Sequence, residues 1–276
     1  MAGTWNVFQY LTAVCPLTEF FCYCCQGTES ILYSIRCVHI SVKALLLSER
    51  ASDLSNLVIV QSKQEINPFL KAMFSQISDP NTQPHFSSHP LVVQQTARMI
   101  GDYAAWLALH PQSLSGLLQY LFKALLVPAA WRQAANAFRN VCSRCTKHLQ
   151  ESSTVQSLVE GVKQTLPAIP FVPTLENAAE DERAAIVEGL ARLIASLPND
   201  AAIPLALSLT APLIASAQEA AASIDKSKSP ALSAWLRLLS SVVRFLESES
   251  TTERNPAMAL LEASWPLLGG VGAEER

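Results

Sequence analysis

The chain has 276 residues and a mass of 30.0 kDa; half the residues are apolar, 16% are charged, and the net charge is −3 with a pI near 6.0. So much apolar material excludes wholesale disorder, and the mildly acidic balance argues against a nucleic-acid binder and fits basic partners. The apolar share is rich in Ala and Leu, strong helix formers, and has no alternating β-branched or aromatic runs, so no sheet is expected.

Residues 1–25 differ in composition from the rest of the chain and carry Cys15, Cys22, Cys24 and Cys25, four of the seven cysteines. They lack the Ala-rich helical pattern and stay unassigned, a separate unit from the segment 26–276. Within them 5–25 is the most apolar stretch of the chain. Asn6, Gln9, Pro16 and Glu19 interrupt it and no Lys or Arg flanks it, so neither a secretory signal nor a membrane span is expected. The remaining cysteines are Cys37, Cys142 and Cys145; an odd total and no secretory start point to a reducing compartment.

A helix is expected from Thr28, with Glu29 in its first turn and Ile31, Leu32, Ile35, Val38 and Val42 on one side. Ser52, Asp53 and Ser55 mark a break. Residues 56–77 read as one or two helices with Pro68 as kink or boundary, and 78–88 as a polar, proline-bearing loop. Three helices then succeed one another with almost no loop. Val93, Ala97, Ile100, Ala104 and Leu107 form the stripe of the first. Leu114, Leu118, Leu121 and Leu125 form that of the second, and Trp131, Ala135, Phe138, Cys142, Cys145 and Leu149 that of the third. His89-Pro90, His110-Pro111 and Val127-Pro128 stand where one helix gives way to the next, because proline is tolerated in a first turn.

A fourth helix is expected over 151–166, ending before Pro167, and a proline-rich connection over 167–179. The next runs from Asp181 to Leu197 with Ile186, Leu190, Leu193, Ile194 and Leu197 inward. Asn199-Asp200 can cap its partner over 201–222, which Pro204 and Pro212 start or bend. After the link DKSKS, Ser229-Pro230 opens a helix whose stripe is Leu232, Trp235, Leu236, Leu239, Val243 and Leu246. Asn255-Pro256 opens a last one. The first helices of successive hairpins start near 91, 129, 180 and 229, and spacings of roughly 38, 51 and 49 bracket the 40–47 of HEAT-type repeats. The expected class is all-α: an α-α superhelix of HEAT/armadillo type, in which each hairpin completes its core on its neighbours.

Chemistry is sparse. Cys142-x-x-Cys145-x-x-His148 offers zinc-type ligands, but that spacing on a continuous helix turns them off one side, and both cysteines lie on the buried stripe. No metal or cofactor site is expected, and no catalytic one. No HExxH, GxSxG, phosphate loop or GxGxxG occurs. Glu180-Asp181-Glu182 reads as a helix-start complement to the dipole. The candidate partner-contact face is Arg132, Arg139, Arg144 and Lys147, on the polar side of the third helix, where an acidic partner can meet it.

Five segments carry a resemblance in register from about 28 to 268. TESILYSIR (28–36) resembles an E-A-x-L-Y-x-x-R helix of the transportin-SR and importin-thirteen branch of the importin-β superfamily. HPLVVQQTARMIGDYAAWLALHP (89–111) is similar to that branch's H-P, R-x-T/S, I/L-G-E-x-x-x-W-L, H-P order. Gly101-Asp102 stands for Gly-Glu there, and Gln95 for the arginine. AANAFRNVCSRCTKHL (134–149), IVEGLARLIASLP (186–198) and Trp265-Pro266-Leu267-Leu268 resemble its later elements. The resemblance implies the central part of a HEAT-repeat nuclear transport receptor. Such receptors import protein cargo, serine/arginine-rich proteins among them, exchange it against Ran-GTP, and cross the pore on phenylalanine-glycine repeats of nucleoporins. They shuttle between nucleus and cytoplasm, with no nucleic-acid or membrane partner. The family's Ran-binding repeats lie ahead of the matched region and its arginine-rich helix after it. A chain of this extent is therefore expected not to run the cycle alone. The other reading open at this point is a cytosolic HEAT scaffold or regulatory subunit of a phosphatase or kinase complex.

Overall fold

The computed structural model describes Pro68 and residues 70–87, 89–169, 182–222, 230–246 and 256–262. The helix expected from Thr28, the unit 1–25, most of the 56–77 segment, the DKSKS link and the Trp265 element lie outside the described residues. So does the 167–179 connection beyond Ile169.

Among the described residues every regular element is helical, in this order: α1 (70–78), α2 (Gln83–Ser87), α3 (Pro90–Asp102), α4 (Ala104–Leu107), α5 (Leu114–Ala124), α6 (Trp131–Arg144), α7 (Thr146–Leu149), α8 (Ser152–Thr165), α9 (Glu182–Ala195), α10 (Asn199–Ala222), α11 (Pro230–Leu246) and α12 (256–262). The prolines mark the starts as expected. His89 is the N-cap of α3, its Nδ1 accepting from the Leu91 N–H at 3.2 Å, with Pro90 in the first turn. Pro111 and Pro128 each open a short 3-10 turn that leads straight into α5 and α6.

Two layers result. In one, α3 packs on α6, α6 on α9, and α9 on α11; in the other, α5 neighbours α8 and α8 neighbours α10. Contacts of α5 with α6, α8 with α9, and α10 with α11 join the layers. The first-layer helices start at 90, 131, 182 and 230, close to the expected hairpin starts. This is an all-α helical solenoid. One apolar core runs through the described helices, from Phe74 at one end to Leu246 and Leu260 at the other, as stacking demands of hairpins that cannot bury their own faces.

The structure departs from the periodicity on α3–α4, α6–α7, α10 and α11. Tyr103, at φ −101° and ψ 16°, separates α3 from α4, and Cys145, with nearly the same angles, separates α6 from α7. Each expected continuous helix is therefore kinked after its third or fourth turn. Asn199 and Asp200 lie inside the first turn of α10, which starts at Asn199 one position after Pro198, whose carbonyl accepts from the Ala201 and Ala202 N–H groups. Pro204 and Pro212 lie within α10 as well, each removing one intrahelical bond. On α11 the buried face is Ala234, Leu238, Leu239, Val242 and Leu246, while Leu236 is 39% exposed. The stripe is thus rotated toward the i, i+4 row of Ala234, Leu238, Val242 and Leu246.

Asn199–Glu219 is long and apolar enough to cross a membrane by length and composition. It packs against α8, α9 and α11, and 33% of that window is buried.

Candidate functional site

Helix α6 is the central plank of the first layer. Its inward side carries Ala134, Ala135, Ala137, Phe138, Val141 and Cys142. Small side chains there, together with glycines on both neighbours, allow close approach. A Cβ on Gly101 of α3 would lie 2.8 Å from the Ala137 Cα, and one on Gly189 of α9 would lie 2.9 Å from the Arg139 Cα. Such distances leave no room for a side chain, so both positions need glycine for packing.

Along the α6–α9 seam this close approach leaves a polar cleft of about 390 Å³, lined by Arg139, Asn140, Ser143 and Arg144 of α6 and by Glu188 and Arg192 of α9. Glu188 is shared. Its Oε1 accepts from Arg192 Nε at 3.2 Å and Nη2 at 3.0 Å, and its Oε2 lies 3.5 Å from Arg139 Nη1. The Arg192 guanidinium is stacked 4.3 Å over the Phe245 ring of α11. Asn140 Nδ2 donates to the Gly101 carbonyl at 3.4 Å, which ties the cleft wall back to α3. Arg144 has no ion-pair partner among the described residues. Three guanidiniums face one carboxylate, so the cleft is cationic.

Of the residues named from sequence, Arg139 and Arg144 come together in this cleft. Arg132 is exposed near the start of α6, two turns from Arg139, and Lys147 is exposed on α7 beyond the break at Cys145. Neither lines the cleft. Sequence reasoning missed Glu188 and Arg192, although their i, i+4 spacing is the readable mark of an ion pair on a helix surface.

The Cys142, Cys145 and His148 set does not converge. Both cysteines are buried, and burial pushes the Cys142 thiol above its ordinary range and that of Cys145 up to about 11. The Cys145 thiol donates to the Ala104 carbonyl at 3.6 Å, whereas His148 is exposed with its Nε2 2.8 Å from the Ala108 carbonyl oxygen. These groups stitch α6 and α7 to α4. Among the described residues no three His, Cys, Asp or Glu side chains cluster as metal ligands.

The stretch that builds α3 to α7 and most of α8 also carries the decisive likeness: residues 85–160 match the family of the Transportin-3/Importin-13 third TPR domain. Over this stretch the chain is similar to the transportin-3/importin-13 family. No curated protein sequence matches the chain. The family consists of nuclear transport receptors, which bind and carry proteins and are not enzymes. The transportin-3/importin-13 match takes in the α6 wall of the cleft; Glu188 and Arg192 lie beyond it.

Proposed function

We propose that this chain serves as part of a nuclear transport receptor that imports protein cargo in a cycle coupled to Ran-GTP, shuttling between nucleus and cytoplasm. The match of residues 85–160 to the transportin-3/importin-13 domain carries this reading. A stack of helical hairpins suits the task, because each repeat adds exposed surface while contacting only its neighbours. The work is binding and release, with no covalent step. Arg132, Arg139, Arg144 and Lys147 form the partner-contact face, with Arg139 and Arg144 at its centre. Serine/arginine-rich cargo and nucleoporin phenylalanine-glycine repeats are the partner classes.

The test is retention of the purified chain on an immobilised phenylalanine-glycine-repeat domain. Retention should fall when the phenylalanines are replaced by serine. Absence of retention, together with stable association with a purified phosphatase catalytic subunit, would overturn the receptor reading in favour of a scaffold.

A further inference from the structure

We propose that the α6–α9 cleft receives an acidic side chain from an extended segment of a protein partner, and that Glu188 is its built-in competitor. The class of partner rests on the protein-carrier reading; the cleft chemistry does not.

Unequal satisfaction of the three guanidiniums is the starting point. Arg192 is saturated on one edge by two hydrogen bonds to Glu188 Oε1 and on its face by Phe245. Arg139 has the long 3.5 Å contact to Oε2, and Arg144 is without an ion-pair partner among the described residues. Each guanidinium carries five N–H donors in a fixed fork suited to carboxylates. A second carboxylate entering between Arg139 and Arg144 therefore meets donors that are largely unspent. Asn140 and Ser143 line the same cleft and add polar partners. A volume of about 390 Å³ is at the small end of the roughly 300–1,000 Å³ of ligand pockets, which suits a side chain and its backbone.

Glu188 sets the gate. It is the one acid lining the cleft, and its charge opposes an incoming carboxylate while it occupies the Arg139 edge. Removing that charge without changing shape should improve binding.

The positive charge also continues across the stack. Arg244 of α11 lies 5.6 Å from the same Phe245 ring that carries Arg192. Packed helices are spaced about 8–10 Å apart, and an extended chain advances about 3.3 Å per residue. Acidic residues at every third position thus keep step with Arg139 and Arg144, Arg192 and Arg244. A nucleic acid fits less well. Its backbone wants a run of unopposed cations and its bases want open aromatic faces, whereas here a carboxylate stands in the cleft and Arg192 covers Phe245.

The test is fluorescence anisotropy of the full chain with a labelled peptide repeating Glu-Gly-Ser, at low and at physiological salt. Glu188→Gln should tighten binding about threefold, and Arg139→Ala and Arg144→Ala should each weaken it about two- to fivefold, magnitudes typical of partly exposed charge pairs. Lys71→Ala, on α1, should change nothing. A matching Lys-Gly-Ser peptide should bind only after Arg144→Glu. Unchanged or weaker binding on Glu188→Gln overturns the proposal. So does unlabelled single-stranded RNA competing as well as the acidic peptide, which would point to nucleic acid instead. Glu188→Gln preserves shape, so a misfolded alanine variant does not remove the test. Peptide binding without retention on phenylalanine-glycine repeats sinks the receptor reading alone; retention without peptide binding sinks the cleft alone.

Discussion

Gly189 of α9 meets Arg139 of α6 backbone to backbone: a Cβ added at Gly189 would come 2.9 Å from the Arg139 Cα. The residue beside that glycine, Glu188, reaches the Arg139 guanidinium. Close packing and the ion pair are therefore one arrangement, and the cleft exists because two helices touch at a point without a side chain.

Gly189→Ala sets two effects against each other. Alanine raises helix propensity by about 1 kcal/mol, but the overlap is with a main-chain atom that cannot rotate away, and overpacking of this kind costs about 1–3 kcal/mol. Net destabilisation is expected in a thermal melt. A raised Tm would show that α6 and α9 separate freely.

Arg183 is 4% exposed, the most deeply buried charged residue described, with its guanidinium 5.0 Å over the Trp235 ring. Trp235→Leu keeps apolar bulk and removes the ring face. A loss of about 1–2 kcal/mol is expected in urea unfolding, the worth of a desolvated cation–π contact. No loss would mean that other partners hold Arg183.

The Tyr120 hydroxyl, buried on α5, donates to the Phe86 carbonyl at 2.9 Å and pins α2 to the second layer. Tyr120→Phe leaves that carbonyl without its donor and should cost about 1–2 kcal/mol. Hydrogen exchange should report faster opening of α2 with α9 unaffected; uniform change across both would contradict a local role.

Cys145 gives a pH dependence with a definite sign. Its thiol is ordinarily near 9.0 and burial raises it to about 11. The folded state keeps a proton that the unfolded chain releases above about 9, so this contribution to stability is complete below pH 9 and is lost as pH rises toward 11. The Tm should fall across that window, and Cys145→Ala should flatten the fall. For the same reason iodoacetamide at neutral pH should leave Cys142 and Cys145 unmodified in site-mapped mass spectrometry until denaturant is added.

Much of the local structure was legible from residues alone. The three stripes from Val93 to Leu149 read as buried faces, and nearly every member is buried, with Trp131 only partly covered. Proline pairs marked the helix starts because a missing N–H matters only beyond the first turn. The rotation of α11 was not legible, since Leu lies on several of its sides and only the positions of α9 and α10, which both pack on it, select the row that is covered. Nor was α10's start, which falls at Asn199 rather than beyond Asp200.

The candidate site divides in the same way. The arginines of α6 could be named because polar residues on an amphipathic helix declare their face by period. That Arg139 and Arg144 would meet Glu188 and Arg192, while Arg132 and Lys147 would not, depended on how α6 and α9 cross. By itself the sequence determined helices, their order and the buried side of most of them, because those depend on short-range spacing. Only the tertiary structure decided which charges face each other, because that is set where Gly101 and Gly189 let distant helices come into contact.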